Sequence, residues 1–276
     1  MNFIFDSHIH VFHPKVIIER ENFFDDLSFK LLYSNNKSRL IDKDGLNKYF
    51  EDFNIQKAAI MGFPWTNCQY CEMQNEYFAH LSSASENLYC FGSIPLSANF
   101  STVKSFATNM KNAGLTGIGE IGFYHNGMNL DLQKWLVSVF EAALENDLKI
   151  CLHVSEPVGH CYTGKYDSKL LELVKIIADF PDLKIVLAHL GGGLVFYELM
   201  PEVKDILKNC VYDTAAVPFL YLDDVYKIAV DLVGVDRILF GSDFPLLNVD
   251  RYKFLMQSLD GEISAKIMRE NFLKFF

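Results

Sequence analysis

Hydrophobic residues fall in short continuous runs along this chain, separated by longer amphipathic stretches. Eight runs read as strands: Phe3–Ser7, Lys57–Gly62, Leu88–Ser93, Leu115–Ile121, Lys149–Val154, Lys184–Ala188, Cys210–Thr214 and Arg237–Gly241. Most are apolar throughout rather than alternating, the pattern of parallel strands covered on both faces. The clearest helix is predicted over Asp131–Asn146, where Leu132, Trp135, Leu136, Val139, Phe140 and Ala143 form one apolar stripe. Tyr166–Ala178 and Asp223–Leu232 read the same way. Asp42–Phe53 and Glu72–Ala84 carry weaker stripes, and Glu262–Phe275 reads as a last docking helix.

After the first interval the strands recur every roughly 25–35 residues, a workable length for one strand–loop–helix–loop unit. The first interval is longer because of Pro14–Leu40, a stretch rich in Phe, Asn and charged residues. It follows the C-terminal end of the first strand, so it is expected over the barrel mouth as a lid or pocket wall. The alternation predicts an α/β fold, a (β/α)8 TIM barrel built by residues 1–276 as a single domain with an insertion after the first strand. An open doubly wound sheet is the rival, but no glycine-rich phosphate turn follows the first strand.

Composition narrows the partners. The chain has 276 residues, 50% of them hydrophobic, and a formal net charge of -10. That supports a large core and argues against a nucleic-acid partner, which needs a basic face. No apolar run approaches the length of a membrane span, and no secretory signal is visible. The expectation is a cytoplasmic protein acting on a small molecule, with a homodimer left open. Cys68 and Cys71 form a lone CQYC, expected as a loop or helix start with two reduced thiols rather than a metal or redox site.

The chemistry-bearing residues gather at predicted strand ends. FDSHIH places Asp6, His8 and His10 at alternate positions of the first strand. Alternation puts them on one face, so the two imidazoles can reach one ion, with Asp6 below to orient or tune them. The fourth strand ends with Glu120 in GEIG, the fifth with His153, the sixth with His189 in AHLGGG and the eighth with Asp243 in GSDFP. Taken alone, such a His is a hydrogen-bonded rim residue and such an Asp a helix cap. On one rim, they make a donor set suited to zinc or a similar divalent ion. The loop SEPVGHCYTGKY after the fifth strand overhangs that rim with Glu156, His160, Tyr162 and Lys165 as candidate substrate contacts. Its glycines would let backbone N–H groups and Lys165 meet an anion. Trp65 and Tyr124, in loops after the second and fourth strands, are weaker candidates for the pocket wall.

HIH, His153, AHLGGG and FGSDFP resemble the amidohydrolase superfamily, most closely its amidohydrolase-2 branch, which includes aminocarboxymuconate-semialdehyde decarboxylase-like enzymes. GEIG also resembles the TatD-like branch, in which the Glu bridges two metals. The resemblance implies that His8, His10 and Asp243 bind a first metal. It implies that His153 binds the first or a second metal, and that His189 ligates a second or acts as a catalytic His beside a single one. The cofactor it implies is one or two divalent ions, zinc foremost. No Lys stands where lysine-bridged members carry one; the fourth strand has Glu120 instead, which favours a Glu bridge or a single ion.

A bound divalent ion brings the pKa of its water toward neutrality, and Asp243 is placed to take that proton and pass it on. The leading expectation is therefore a metal-dependent hydrolase of C–N, ester or similar bonds in a small substrate. A non-oxidative decarboxylase on the same site is the alternative. A TatD-like nuclease comes third, disfavoured by the acidic charge, and a non-catalytic metal binder last.

Overall fold

The computed structural model describes residues 3–253, 255 and 259–276. Eight parallel strands lie in sequential order: β1 (Ile4–His10), β2 (Ile55–Met61), β3 (Leu88–Gly92), β4 (Gly117–Ile121), β5 (Lys149–Leu152), β6 (Ile185–Leu187), β7 (Cys210–Asp213) and β8 (Ile238–Leu239). The sheet closes on itself where Ile9 bridges Phe244. At that seam Ser7 N donates to Phe240 O at 2.8 Å and His10 N to Phe244 O at 2.7 Å. The fold is a (β/α)8 TIM barrel, as the alternation of runs and stripes predicts.

Each predicted strand is present, shifted by a few residues at its ends. Helices α1 (Pro14–Ile18) and α2 (Leu27–Tyr33) lie in the insertion, and α3 (Lys43–Phe53) and α4 (Cys68–Ala84) precede β2 and β3. Then come α5 (Phe100–Asn112), α6 (Leu130–Glu145), α7 (Leu170–Ala178), α8 (Pro201–Leu207) and α9 (Val225–Val233). Side-chain caps fix several starts: Asn129 accepts from Leu132 N, Asp42 from Asp44 N and Gly45 N, and Asn67 from Gln69 N. Cys68 thus opens α4 beside its cap, and both CQYC thiols are free, Cys68 exposed and Cys71 buried. Helix α5 is a further element, capped by Asn99 and burying Val103, Ala107 and Met110. Among the described residues, no helix is long and apolar enough to cross a membrane.

Two apolar layers result. The outer one packs helices on strands through residues such as Ile60, Ile118, Leu136, Phe140 and Ile185. The inner one fills the barrel's lower half with Phe5, Ala59, Met61, Phe91, Cys151, Val186 and Leu239. The final segment docks as expected but is not one α-helix. A π-helical turn (Lys266–Glu270) separates Gly261–Ala265 from Asn271–Phe275. Phe272 then enters the inner layer against Phe5, their ring centroids 5.6 Å apart. Burying such a ring contributes about 2–3 kcal/mol and closes the barrel floor.

Strict alternation fails within β1. Phe5 belongs to the inner layer, whereas Asp6 accepts a bond from the hydroxyl of Tyr49 on α3, outside the barrel. The register with β2 shifts between Asp6 and Ile9. That extra residue resets the phase, so His8 and His10 point inward while Asp6 does not.

Candidate metal centre

The inner layer stops at the level of His8, and polar side chains replace apolar ones above it. His8 and His10 approach nitrogen to nitrogen, Nε2 to Nε2, at 3.2 Å. Asp243 Oδ1 lies 3.4 Å from His10 Nε2 and 3.9 Å from His8 Nε2. Glu120 Oε1 lies 3.1 Å from both His153 Nδ1 and His189 Nε2, and its Oε2 lies 3.6 Å from His10 Nε2. All six rim candidates therefore converge from β1, β4 and the segments following β5, β6 and β8. They form two overlapping triads, His8–His10–Asp243 and Glu120–His153–His189.

The backbone is bent to deliver these side chains. His189 and Asp243 both sit at φ 62°, in the left-handed region that non-glycine residues seldom adopt. Such strain persists only where the surroundings enforce it. His189 N is held by Asp213 Oδ1 at 2.8 Å, and Asp243 N donates to His8 O at 3.0 Å. Leu190 and three glycines continue the left-handed run to residue 193. The GGG of AHLGGG is thus a backbone requirement of the His189 turn.

Asp213, at the end of β7, is the acid that orients His8. Its Oδ2 lies 2.8 Å from His8 Nδ1, with both side chains fully buried. This contact fixes the ring so that Nε2 is turned toward the cluster. Asp6 was the expected orienting residue, but the phase change removes it from the imidazoles. It instead accepts His8 N at 3.1 Å and Ser242 N at 2.9 Å, pinning β1 to the segment after β8. Asp213 sits in an ordinary-looking VYDTAA stretch, and its position at a strand end was the only signal for it.

Charge at the cluster is unevenly spread. Burial opposes ionisation of Glu120, but His153, His189 and His8 outweigh it and hold the carboxyl well below the usual range. Burial likewise opposes charge on Asp243, yet His10, His8 and His189 bring it down to about 2. Burial lowers His189, but the Glu120 bond and charge win and raise it to about 9. Burial dominates at His153 and lowers it.

The donor set fits a divalent cation. Imidazole nitrogens and carboxylate oxygens are borderline and hard ligands suited to zinc or manganese. His10 Nδ1 is buried without a hydrogen-bond partner among the described residues, so its ring is held only through the nitrogen that faces the cluster.

Above the cluster opens a cavity of about 580 Å³. The insertion forms one wall with Leu32, Tyr33 and Arg39, as its place after β1 predicts. Phe63, Phe219 and Leu246 contribute from elsewhere. Of the expected substrate contacts, Tyr124, His160 and Tyr162 line the cavity. Glu156, Lys165 and Trp65 do not. Lys165 Nζ is taken up inside its own loop by Glu156 Oε1 at 2.9 Å, Val158 O at 2.6 Å and His160 O at 3.0 Å. Its three protons are therefore occupied, and it stiffens the loop instead of meeting an anion. Glu156 also accepts from Tyr162 at 3.0 Å. Trp65 is fully buried, its indole N–H donating to Gln74 Oε1 at 3.0 Å.

A family model described as amidohydrolase matches residues 5–276. Three solved structures are similar along nearly their whole length. A 5-carboxyvanillate decarboxylase from Sphingomonas paucimobilis is 15% identical, with TM-score 0.76 and coverage of 99% of this chain and 98% of that one. A dihydroxybenzoic acid decarboxylase from Polaromonas sp. JS666, with bound manganese and the inhibitor 2-nitroresorcinol, is 16% identical. Its TM-score is 0.73, with 100% of this chain and 97% of that one covered. A putative amidohydrolase from Staphylococcus aureus is 18% identical, with TM-score 0.70 and 99% of each chain covered. At such identities the likeness establishes the barrel and its topology.

Proposed function

This chain belongs to the amidohydrolase family, and on that premise we propose that it is a metal-dependent, non-oxidative decarboxylase of a small hydroxylated aromatic acid. The observation that carries the reading is the donor cluster at the foot of an aromatic and aliphatic cavity, in a barrel like those of two such decarboxylases. Hydrolysis ranks second, and the specific support for it is Asp243, ionised at neutral pH and able to accept a proton from water.

His8, His10 and Asp243 would hold the cation, with Glu120 and His153 beside them. Manganese and zinc both suit the set. A divalent ion bound there would supply Lewis-acid charge to the substrate. Leu32, Phe63, Phe219 and Leu246 give the substrate's ring an apolar surface, and contact with it would partly desolvate the carboxylate, which favours the loss of neutral carbon dioxide. Breaking the bond leaves an electron pair on the ring carbon, and a proton must take the place of carbon dioxide there. His189 lines the cavity beside the cluster, so it is placed to be the donor in this scheme. The ionised Asp243 balances the charge of the imidazoles.

Incubating manganese-loaded protein with a panel of hydroxybenzoates tests the reading. Carbon dioxide release, with a product lighter by one carbon dioxide, is expected. A product that has gained water without carbon dioxide release would establish hydrolysis instead.

A further inference from the structure

We propose that Tyr124 is a positioning residue that sets the direction of the Glu120 carboxylate in the metal centre. The proposal rests on the metal-dependent reading above and adds to it a residue that need not touch the substrate.

A Cβ at Gly122 would stand 2.6 Å from Tyr124 Cζ, 2.8 Å from its Cε2 and 2.9 Å from its hydroxyl. The Tyr124 ring thus lies directly on a bare Cα, folded back along the chain toward the strand that carries Glu120. No side chain larger than hydrogen leaves room for that fold. Its hydroxyl then donates to Glu120 Oε2 at 2.9 Å and stands 3.4 Å from His153 Nδ1.

The ring is fixed on its other sides as well. It meets the His153 ring edge-on with centroids 5.0 Å apart, and lies near-parallel to Phe63 at 6.3 Å. Tyr124 is 9% exposed. A phenol carries its proton at neutral pH, so its hydroxyl is the donor and the carboxylate the acceptor.

This donor differs from the other groups around Glu120. Those groups are imidazoles, whose front nitrogens are needed for the cation. Tyr124 is neutral and supplies the one hydroxyl contact to Glu120 among the described residues. With Oε2 engaged by the phenol, Oε1 is left facing His153 and His189 at 3.1 Å from each. Without the hydroxyl, Oε2 would have only His10 Nε2 at 3.6 Å, beyond hydrogen-bond range, and the carboxylate would be held through Oε1 alone and able to pivot about it.

The test is a manganese titration of wild type, Tyr124→Phe and Gly122→Ala, read by calorimetry and by the manganese electron paramagnetic resonance line shape. Phe keeps the ring and its packing while deleting the donor. The expected result is about tenfold weaker binding in Tyr124→Phe, as for other groups that orient metal ligands. A changed line shape and an unaltered metal-free melting temperature should accompany it. Gly122→Ala displaces the intact tyrosine and should weaken binding in the same direction. Unchanged affinity and line shape in Tyr124→Phe overturn the proposal while leaving the metal-dependent reading intact. Failure of the wild type to bind a divalent cation overturns both.

Discussion

Asp213 Oδ2 lies 2.8 Å from His8 Nδ1, and the same carboxylate's Oδ1 accepts from the backbone of His189 at 2.8 Å. One buried side chain thus orients the His8 imidazole of one triad and holds the backbone that carries His189 of the other. Asp213→Asn preserves shape but weakens acceptance from His8. It is expected to reduce manganese affinity by roughly 10–100-fold, measured by chelator competition. Affinity equal to wild type would show that His8 keeps its orientation without this partner.

Lys165 offers a test of loop stiffness separate from chemistry. Lys165→Met removes the ties to Glu156, Val158 and His160 and loosens the loop that carries His160 and Tyr162 over the cavity. Steady-state kinetics should show KM rising several-fold with kcat changed by less than about twofold, the mark of lost positioning away from the reacting atoms. A fall in kcat alone would instead place Lys165 in the chemical step.

Gly192 is a sharp probe of the strained turn. It adopts φ +57°, and an added Cβ would stand 2.7 Å from Val154 O and 2.8 Å from Ser155 C. Backbone atoms cannot swing aside as a flexible side chain would. Gly192→Ala should cost about 2–4 kcal/mol in urea unfolding, from the left-handed penalty together with the collision. It should also disturb the contact of Ser155 Oγ with His153 Nε2, 3.1 Å long, and so lower metal affinity.

Metal removal should be visible in stability alone. A cation present at a hundred times its dissociation constant adds about 2.7 kcal/mol to the folded state. Chelation should therefore lower the melting temperature by several degrees, and added manganese should restore it. An unchanged melting temperature would count against a bound cation.

The barrel was legible because its signals are long and redundant: eight apolar runs and several helical stripes repeat one unit. The six rim residues were legible because a strand end in this fold has one destination. The residues that escaped depend on single-residue geometry. Asp6 and His8 are two positions apart, yet a register shift sends them to opposite sides of the strand. Lys165 was an apparent anion site because its sequence gives no hint that Glu156 and two carbonyls already surround it. Helix α5 buries Val103, Ala107 and Met110 between polar positions, and it was not read from the sequence.

The seam between the first and last strands has a temporal consequence. Asp6 and Ser242, which join there, are 236 positions apart in the chain. At roughly 5–20 residues per second, the ribosome releases the second partner on the order of tens of seconds after the first. His8 and His10 are likewise made well before Asp243, so the first triad stays incomplete until the segment after β8 is made. Assembly of the donor cluster is thus timed by the closing of the barrel.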